Sequence, residues 1–189
     1  VQTVETIPTI AHELTPAFPP QVPDVSYGLG CPYAETTLVE YGDDVLAYVP
    51  TNGDYDETWM NSDNFLPGLE DWGEGTLGVG YDYGSTFGQF IGLNVGGQMM
   101  GNATSVYVRI TFTVEDAQAI RALHLRMKYD DGFIAYLNAT ETETDPVIVA
   151  QANYQSDGDD PDWQTMASRS HPDSQSRDDK YETFDITPF

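Results

Sequence analysis

Four aspartates close together near the C-terminus carry the most specific chemistry that the sequence suggests. They stand in the run SDGDDPDW, at Asp157, Asp159, Asp160 and Asp162. Hard cations such as Ca²⁺ take about six to eight oxygen ligands, which clustered carboxylates and backbone carbonyls supply. We therefore predict a structural calcium site here, with Asp54–Asp56 and Asp130–Asp131 as second choices. The spacing differs from that of an EF-hand loop, so a solvated turn without metal stays open as the alternative.

Aromatic side chains beside polar groups are the second feature that could recognise a ligand. A pyranose ring has an apolar face and polar hydroxyls, so a sugar site needs an aromatic platform with hydrogen-bonding neighbours. Trp163 directly follows the aspartate cluster and is the first choice for a ligand-binding residue. The further candidates are Tyr81, Tyr83 and Trp59. Packing in the core is the alternative for each of them, and we expect Trp72 to anchor a loop.

No arrangement typical of an active site is found in the sequence. The three histidines, His12, His124 and His171, stand far apart, and none belongs to a metalloprotease or serine-hydrolase motif. Cys31 is the sole cysteine, which excludes an intrachain disulfide and a thiolate zinc site. Glycoside hydrolysis needs two carboxylates, but with 31 acidic residues no particular pair stands out. We therefore predict a protein that is not an enzyme.

The charge of the chain restricts its partners. Acidic residues outnumber basic ones by 31 to 7, the formal net charge is −24, and residues 1–108 contain no Lys or Arg. Such a surface repels phosphate backbones and anionic headgroups, so we expect no nucleic-acid partner. No segment has the roughly 18 consecutive apolar residues of a membrane span, and we expect no membrane insertion. Arg126 and Arg169 could bind acidic sugars, although pairing with internal carboxylates is the favoured interpretation.

Alternating apolar and polar residues predict the strands that would position these groups. In residues 105–114 the apolar set Val106, Val108, Ile110, Phe112 and Val114 alternates without a break, which predicts one long strand with that face buried. Residues 123–129 alternate likewise, and the turn Asp130-Asp131-Gly132 predicts a hairpin with residues 133–138. Further strands are predicted at residues 38–41, 45–49, 77–81, 147–150 and 181–186.

Short strands separated by polar turns predict the domain organisation. Residues 1–34, with four prolines between Thr15 and Pro23, are predicted to be a Pro-rich extension or linker, and residues 35–189 the folded domain. Residues 51–75 are predicted to form a long loop held by Trp59, Phe65 and Trp72. The pattern favours an all-β fold in which two antiparallel sheets pack as a sandwich.

Four sequence runs resemble a known family. GVGYD, SVYVRITFTV, LHLRMKYDDGFIAYLN and ETFDIT are similar to a galactose-binding-like jelly-roll domain of large secreted and surface proteins of bacteria. Such domains often stand near lamin-tail or spore-coat-kinase-like domains. The resemblance covers about residues 38–187, and LRMKYDDGFIAYLN is its most specific part. The family's usual YLNG is replaced here by Tyr136-Leu137-Asn138-Ala139.

The resemblance implies both a fold and a role. The expected fold is a jelly-roll β-sandwich, and the expected role is that of a carbohydrate-binding-like accessory module, frequently with a structural calcium ion. Its partners would be a glycan or polysaccharide and the flanking domains of a larger parent protein. The expected location is extracellular, secreted or on the cell surface. The alternative function is a structural spacer or an adhesion or docking domain with no sugar ligand.

Overall fold

The computed structural model describes residues 35–56, 58–60, 71–84, 86–137, 146–154, 161–176 and 180–188. The chain divides between Thr36 and Thr37, so almost all described residues belong to the unit Thr37–Phe189. The predicted linker, residues 1–34, lies outside the described residues. Phe65, which we expected to hold the long loop, also lies outside them.

Strands make up most of the regular secondary structure among the described residues, which confirms the predicted all-β class. The helical segments are single turns: α1 (Gly96–Met99), α2 (Asp173–Ser176) and two 3-10 turns, Gly88–Phe90 and Ala117–Ala119. No helix in the described part of the chain is long and apolar enough to cross a bilayer. The strands are β1 (Asp44–Tyr48), β2 (Gly73–Thr76), β3 (Val79–Gly80), β4 (Leu93–Asn94), β5 (Tyr107–Arg109), β6 (His124–Met127), β7 (Phe133–Leu137), β8 (Val147–Ala152) and β9 (Glu182–Asp185).

The described strands form small sheets that do not close. One sheet has three strands in the order β2-β1-β5, and both of its pairings are antiparallel. The ribbons β6-β9 and β7-β8 are antiparallel, while β3 and β4 pair in parallel. The described sheets are consistent with an all-β fold. The three-stranded sheet is the element that positions the candidate site.

The three-stranded sheet buries an aliphatic cluster against one of its faces. Ala47 and Val49 pack there with Val95, and Leu93 lies against the same cluster. The sequence GEGT of β2 suits this contact, because a Cβ atom at Gly75 would lie 2.9 Å from the Cβ atom of Leu93. Glycine in β2 thus allows the chain around β4 to approach the sheet closely.

The strand predicted over residues 105–114 is much shorter in the structure. β5 spans only Tyr107–Arg109, and its buried side chain is Tyr107, on the face predicted to be polar. Ile110 and Phe112 are 37% and 40% exposed. The pairing with β1 ends at Leu46 opposite Arg109, so no described strand lies beside the rest of the run. Val106 packs against the aliphatic cluster, as the alternation predicts, but the aromatic side chains around Tyr107 cover the other face of the segment as well.

The predicted hairpin between residues 123–129 and 133–138 is also wrong. β6 pairs with β9 and β7 pairs with β8. The turn itself forms, with Asp131 at a φ of 62°, but the strands diverge after it. Phe133 of β7 contacts β9 through its side chain, with its ring edge-on to Phe184 at 5.2 Å. β7 therefore contacts β9, the ladder partner of β6, through this pair of rings and does not form the predicted hydrogen-bonded ladder with β6.

Residues 38–41 form bends and a turn where a strand was predicted. Asp43 caps this turn, because its Oδ2 accepts a hydrogen bond from the backbone N–H of Glu40 at 2.7 Å. The backbone N–H of Asp43 in turn donates to the carbonyl of Glu40 at 3.1 Å. Gly42 has a φ of 95°, a conformation that glycine adopts at low cost. The turn therefore leads into β1, which pairs with β2 and β5.

Candidate functional site

The face of the three-stranded sheet opposite the aliphatic cluster is covered by aromatic rings. The register places Tyr48 of β1 opposite Tyr107 of β5, with ring centroids 6.3 Å apart. Trp72, just before β2, stacks on Tyr48 at 5.5 Å and is 5% exposed. We call the following six residues the aromatic layer: Tyr48, Tyr55, Trp59, Trp72, Tyr107 and Trp163.

The loop after β1 brings two rings to the aromatic layer. The loop is folded by backbone hydrogen bonds, including one from the N–H of Trp59 to the carbonyl of Tyr55 at 2.9 Å. The Tyr55 ring meets Tyr48 edge-on at 5.1 Å. The Trp59 ring stacks on Tyr107 with centroids 4.6 Å apart and an interplanar angle of 6°. Predicted as a ligand-binding residue, Trp59 is therefore half-buried, with one ring face against Tyr107.

Trp163 reaches the same layer from the C-terminal part of the chain. Its carbonyl oxygen accepts a hydrogen bond from the Ser105 hydroxyl at 2.6 Å, just before β5. Its ring packs near the loop after β1, since a Cβ atom at Gly53 would lie 3.5 Å from the Trp163 Cδ1. The structure thus packs Trp59 and Trp163, which were predicted separately, against the same buried cluster.

Polar groups border the aromatic layer. The Tyr107 hydroxyl donates a hydrogen bond to Asp56 Oδ1, and the Arg109 Nη1 donates to the carbonyl of Trp59 at 2.5 Å. Burial, followed by the hydrogen bond to Asp56, raises the pKa of Tyr107 well above its ordinary value. Burial also lowers the pKa of Arg109. The layer therefore combines flat apolar surfaces with hydrogen-bonding groups, but sequence analysis did not identify Tyr107 or Asp56 as part of it.

Tyr81 and Tyr83 form a separate aromatic pair. Their rings meet edge-on at 5.7 Å, and Tyr83 is 79% exposed. Asp82 between them accepts hydrogen bonds from the backbone N–H groups of Gly84 at 2.8 Å and Phe87 at 2.7 Å. These bonds, with that of Phe87 the largest contribution, lower the pKa of the Asp82 carboxyl. The two predicted tyrosines therefore lie at a structured loop and are not part of the aromatic layer.

The predicted calcium site falls mostly outside the described residues. This applies to Asp157, Asp159 and Asp160, whereas Asp162 is described and exposed. The Asp162 Oδ1 accepts hydrogen bonds from the Gln164 N–H at 2.9 Å and the Thr165 hydroxyl at 3.0 Å. One carboxylate oxygen is thus already engaged in a turn, which does not favour calcium coordination by that atom.

The second choices for metal binding also have hydrogen-bonding roles within the protein. Asp56 accepts from the Tyr107 hydroxyl, and the Asp131 Oδ1 accepts from the backbone N–H of His171 at 3.2 Å. Burial raises the pKa of the Asp130 carboxyl, and the charges of Asp131 and Asp173 raise it further. Within the described ranges, no group of three or more His, Cys, Asp or Glu side chains is arranged to hold a metal ion.

A buried histidine network that the sequence spacing did not indicate lies beside β6 and β9. His171 is 8% exposed, and its Nδ1 lies 3.0 Å from the Ser176 Oγ. Because the Ser176 hydroxyl donates its proton to the Tyr129 carbonyl at 2.5 Å, it must accept from the His171 Nδ1–H. The His171 Nε2 faces the Glu182 Oε1 at 3.8 Å, and the Tyr129 hydroxyl donates to the Glu182 Oε2 at 2.6 Å.

The connectivity of this network indicates a structural role. A nucleophilic serine would give its proton to the histidine, whereas the Ser176 proton goes to a backbone carbonyl. Ser176 is itself 7% exposed. The rings of His171 and Tyr129 pack at 4.2 Å. The network therefore connects α2 and the segment before it to Tyr129, which follows β6, and to β9.

Two arginines make contacts other than the predicted internal ion pairs. The Arg126 guanidinium lies 4.9 Å from the centroid of the Tyr181 ring. The Arg169 Nε donates to the Asn153 Oδ1 at 2.6 Å. The ion pairs found in the described part of the chain do not include either arginine. Tyr181 carries a second cation, the Lys128 ammonium, at 4.7 Å.

No protein-family model matches the chain, and neither does any curated protein or solved structure. The similarity of residues 38–187 to galactose-binding-like domains accordingly stays a prediction.

Proposed function

We propose that the chain is a non-catalytic, carbohydrate-binding-like accessory module of a larger extracellular protein. In this proposal its β-strands form a jelly-roll sandwich, and a neutral glycan contacts the aromatic layer at Trp59 and Trp163. The observation that supports it is that these two half-buried indoles, which come from distant parts of the chain, pack against the same buried cluster of Trp72 and Tyr107. Arg109 and the Asp56 carboxylate lie beside them.

The proposed binding mode is stacking supplemented by hydrogen bonds. The apolar face of a pyranose ring packs on an indole, while carboxylates and amides bind its hydroxyls. The affinity of a single site for a glycan is expected to be modest, because one ring face of Trp59 is already covered by Tyr107 and is not available for stacking on a sugar. Binding of a polymer is then strengthened by several modules or by several sites in one parent protein.

Affinity electrophoresis in gels that contain neutral polysaccharides tests the proposal. We expect retardation of the wild-type chain and loss of retardation by Trp163→Ala. Tyr41→Ala is the matched control, because Tyr41 is an aromatic residue that is 60% exposed and is not part of the aromatic layer. Retardation that survives Trp163→Ala and is abolished by Tyr83→Ala would transfer the site to the Tyr81–Tyr83 pair.

The competing function is a spacer or docking domain with no sugar ligand. The packing of Trp59 favours it, because this ring stacks on Tyr107 and meets Tyr136 edge-on at 5.8 Å, as an anchor of a loop does. Titration calorimetry against a broad panel of polysaccharides distinguishes the two functions. Heats that are indistinguishable from dilution for every polysaccharide would support the spacer and overturn glycan binding.

A structural calcium ion near Asp157, Asp159, Asp160 and Asp162 remains part of the proposal. An ion that binds only the folded state raises the melting temperature in proportion to the logarithm of its excess over the dissociation constant. We expect the chain to melt at a higher temperature with calcium in excess than with a chelator. Asp159→Asn should abolish the difference, and equal melting temperatures for the wild type would overturn the calcium site.

A further inference from the structure

Asn52 precedes a glycine in the loop after β1, which carries part of the aromatic layer. Of the seven asparagines in the chain, Asn52 alone is followed by glycine. The backbone nitrogen of the following residue can attack an asparagine carboxamide, and a glycine leaves that nitrogen unshielded because it has no side chain. Asn52 and Gly53 are both exposed, so water and base reach them. The local chemistry therefore favours modification of Asn52 over the other asparagines.

The conformation of the loop presents the Asn52 carboxamide to this attack. The Asn52 Oδ1 accepts a hydrogen bond from the backbone N–H of Asp54 at 3.1 Å. The bond closes a ring of atoms that contains both the Asn52 Cγ and the Gly53 nitrogen, so the carboxamide is folded back over the Gly53 peptide. The same N–H points at the oxygen on which negative charge develops when a nucleophile adds to Cγ. The turn thus keeps the electrophile near its nucleophile.

We propose that Asn52 is a site of spontaneous deamidation, through a succinimide formed with Gly53. The Gly53 nitrogen bonds to the Asn52 Cγ and loses its proton, the Cγ–Nδ2 bond breaks, and ammonia leaves with that proton. Water then cleaves one of the two C–N bonds that the Gly53 nitrogen makes to the imide carbonyls. Cleavage at Cγ leaves aspartate at position 52, whereas cleavage at the main-chain carbonyl leaves isoaspartate, whose main chain runs through the β-carbon.

The modification acts on the aromatic layer because Gly53 lies against it. A Cβ atom at Gly53 would lie 3.5 Å from the Trp163 Cδ1 and 2.9 Å from the Asp56 Oδ2. Isoaspartate at position 52 adds one carbon to the main chain directly before this contact. It also adds a carboxylate close to that of Asp56, and like charges repel. Since Asp56 accepts the hydrogen bond of the Tyr107 hydroxyl, isoaspartate loosens both the Trp163 contact and the attachment of the loop to β5.

Peptide mapping by mass spectrometry, on the full chain incubated in mildly alkaline buffer, tests the site. We expect the Asn52 peptide to deamidate about tenfold faster or more than the peptides of Asn94 and Asn153, because attack depends on access to the following nitrogen. These two asparagines are internal controls, since the bulky residues Val95 and Tyr154 follow them. Deamidation that is no faster at Asn52 than at both controls would overturn the proposal.

Urea unfolding of the separated products, followed by tryptophan fluorescence, tests the effect on the aromatic layer. We expect the isoaspartate form to have a folding equilibrium constant about fivefold or more below that of the unmodified chain. Asn52→Asp is the matched control, because it adds the charge without the extra main-chain carbon, and we expect a smaller loss. An isoaspartate form as stable as Asn52→Asp would refute the loosening. Neither measurement involves a sugar, so failure here is distinct from failure of glycan binding.

Discussion

The hydrogen bond from Tyr107 to Asp56 connects the loop after β1 to β5, and its removal is the sharpest test of how the aromatic layer is held. Tyr107→Phe deletes the hydroxyl and keeps the ring, which is 7% exposed and stacked on Trp59 at 4.6 Å. The substitution thus isolates the hydrogen bond from the packing of the ring. Its effect reports whether the loop depends on that bond.

The expected loss of stability is about 1.5 kcal/mol. A hydrogen bond to a charged acceptor contributes about 1.5–3 kcal/mol, and Asp56 is only half-buried, so that water can replace the lost donor. This argument favours the lower end of the range. For a domain of this size, a loss of about 1.5 kcal/mol lowers the melting temperature by about 3–6 °C.

Urea unfolding followed by tryptophan fluorescence measures this loss, because Trp59 lies directly against Tyr107. Tyr83→Phe is the matched control, since Tyr83 is 79% exposed, and we expect it to change stability by less than about 0.5 kcal/mol. In a Tyr107→Phe background, Asp56→Asn should add little, because its partner is already gone. A loss below about 0.5 kcal/mol for Tyr107→Phe, or full additivity of the two substitutions, would refute the reasoning.

Three further predictions concern other parts of the fold. Gly78→Ala should destabilise the chain by more than about 1 kcal/mol in urea unfolding, because Gly78 has a φ of 97° and a Cβ atom there would collide with a backbone carbonyl; an unchanged midpoint would contradict this. Ser176→Ala should cost about 1–3 kcal/mol in the same assay, because it leaves the buried Nδ1 of His171 without an acceptor; a neutral result would argue against the network. Burial and the hydrogen bond to Glu182 raise the pKa of Tyr129 to about 12, above its unfolded value, so this contribution to stability is complete below about pH 10 and is lost as the pH rises through about 12. Ultraviolet titration against Tyr129→Phe checks it, and a difference spectrum that titrates at about pH 10 would contradict it.

Several strands could be predicted because burial alternates locally along the chain. In β1 the predicted run Val45–Val49 has Val45 and Ala47 almost fully buried, at 3% each. β7, β8 and β9 also form where the sequence predicted them. β2 was missed because GEGT contains neither an aromatic nor an aliphatic side chain. Its place is explained only by the approach of Leu93, a contact between distant parts of the chain.

The candidate site was predictable residue by residue but not as a unit. Trp59 and Trp163 were identified because large aromatic side chains stand next to acidic, turn-rich segments. Their packing against one cluster depends on Ser105, which donates a hydrogen bond to the Trp163 carbonyl, and on the ring of Tyr107. Tyr107 was assigned to the polar face of its strand, so the centre of the layer was the part that sequence reasoning missed.

By itself, the amino-acid sequence determined the all-β class, the positions of most strands and a strongly acidic chain with every Lys and Arg after residue 108. The tertiary structure decided which strands pair, as when β6 joined β9 rather than β7, and that both faces of the segment around β5 are covered. The physical reason is that alternation of apolar residues with a period of two indicates only that one face of a strand is covered. The side chains that cover that face and the strand that pairs with it come from distant parts of the sequence. Only their packing selects among the faces and partners that the local pattern allows.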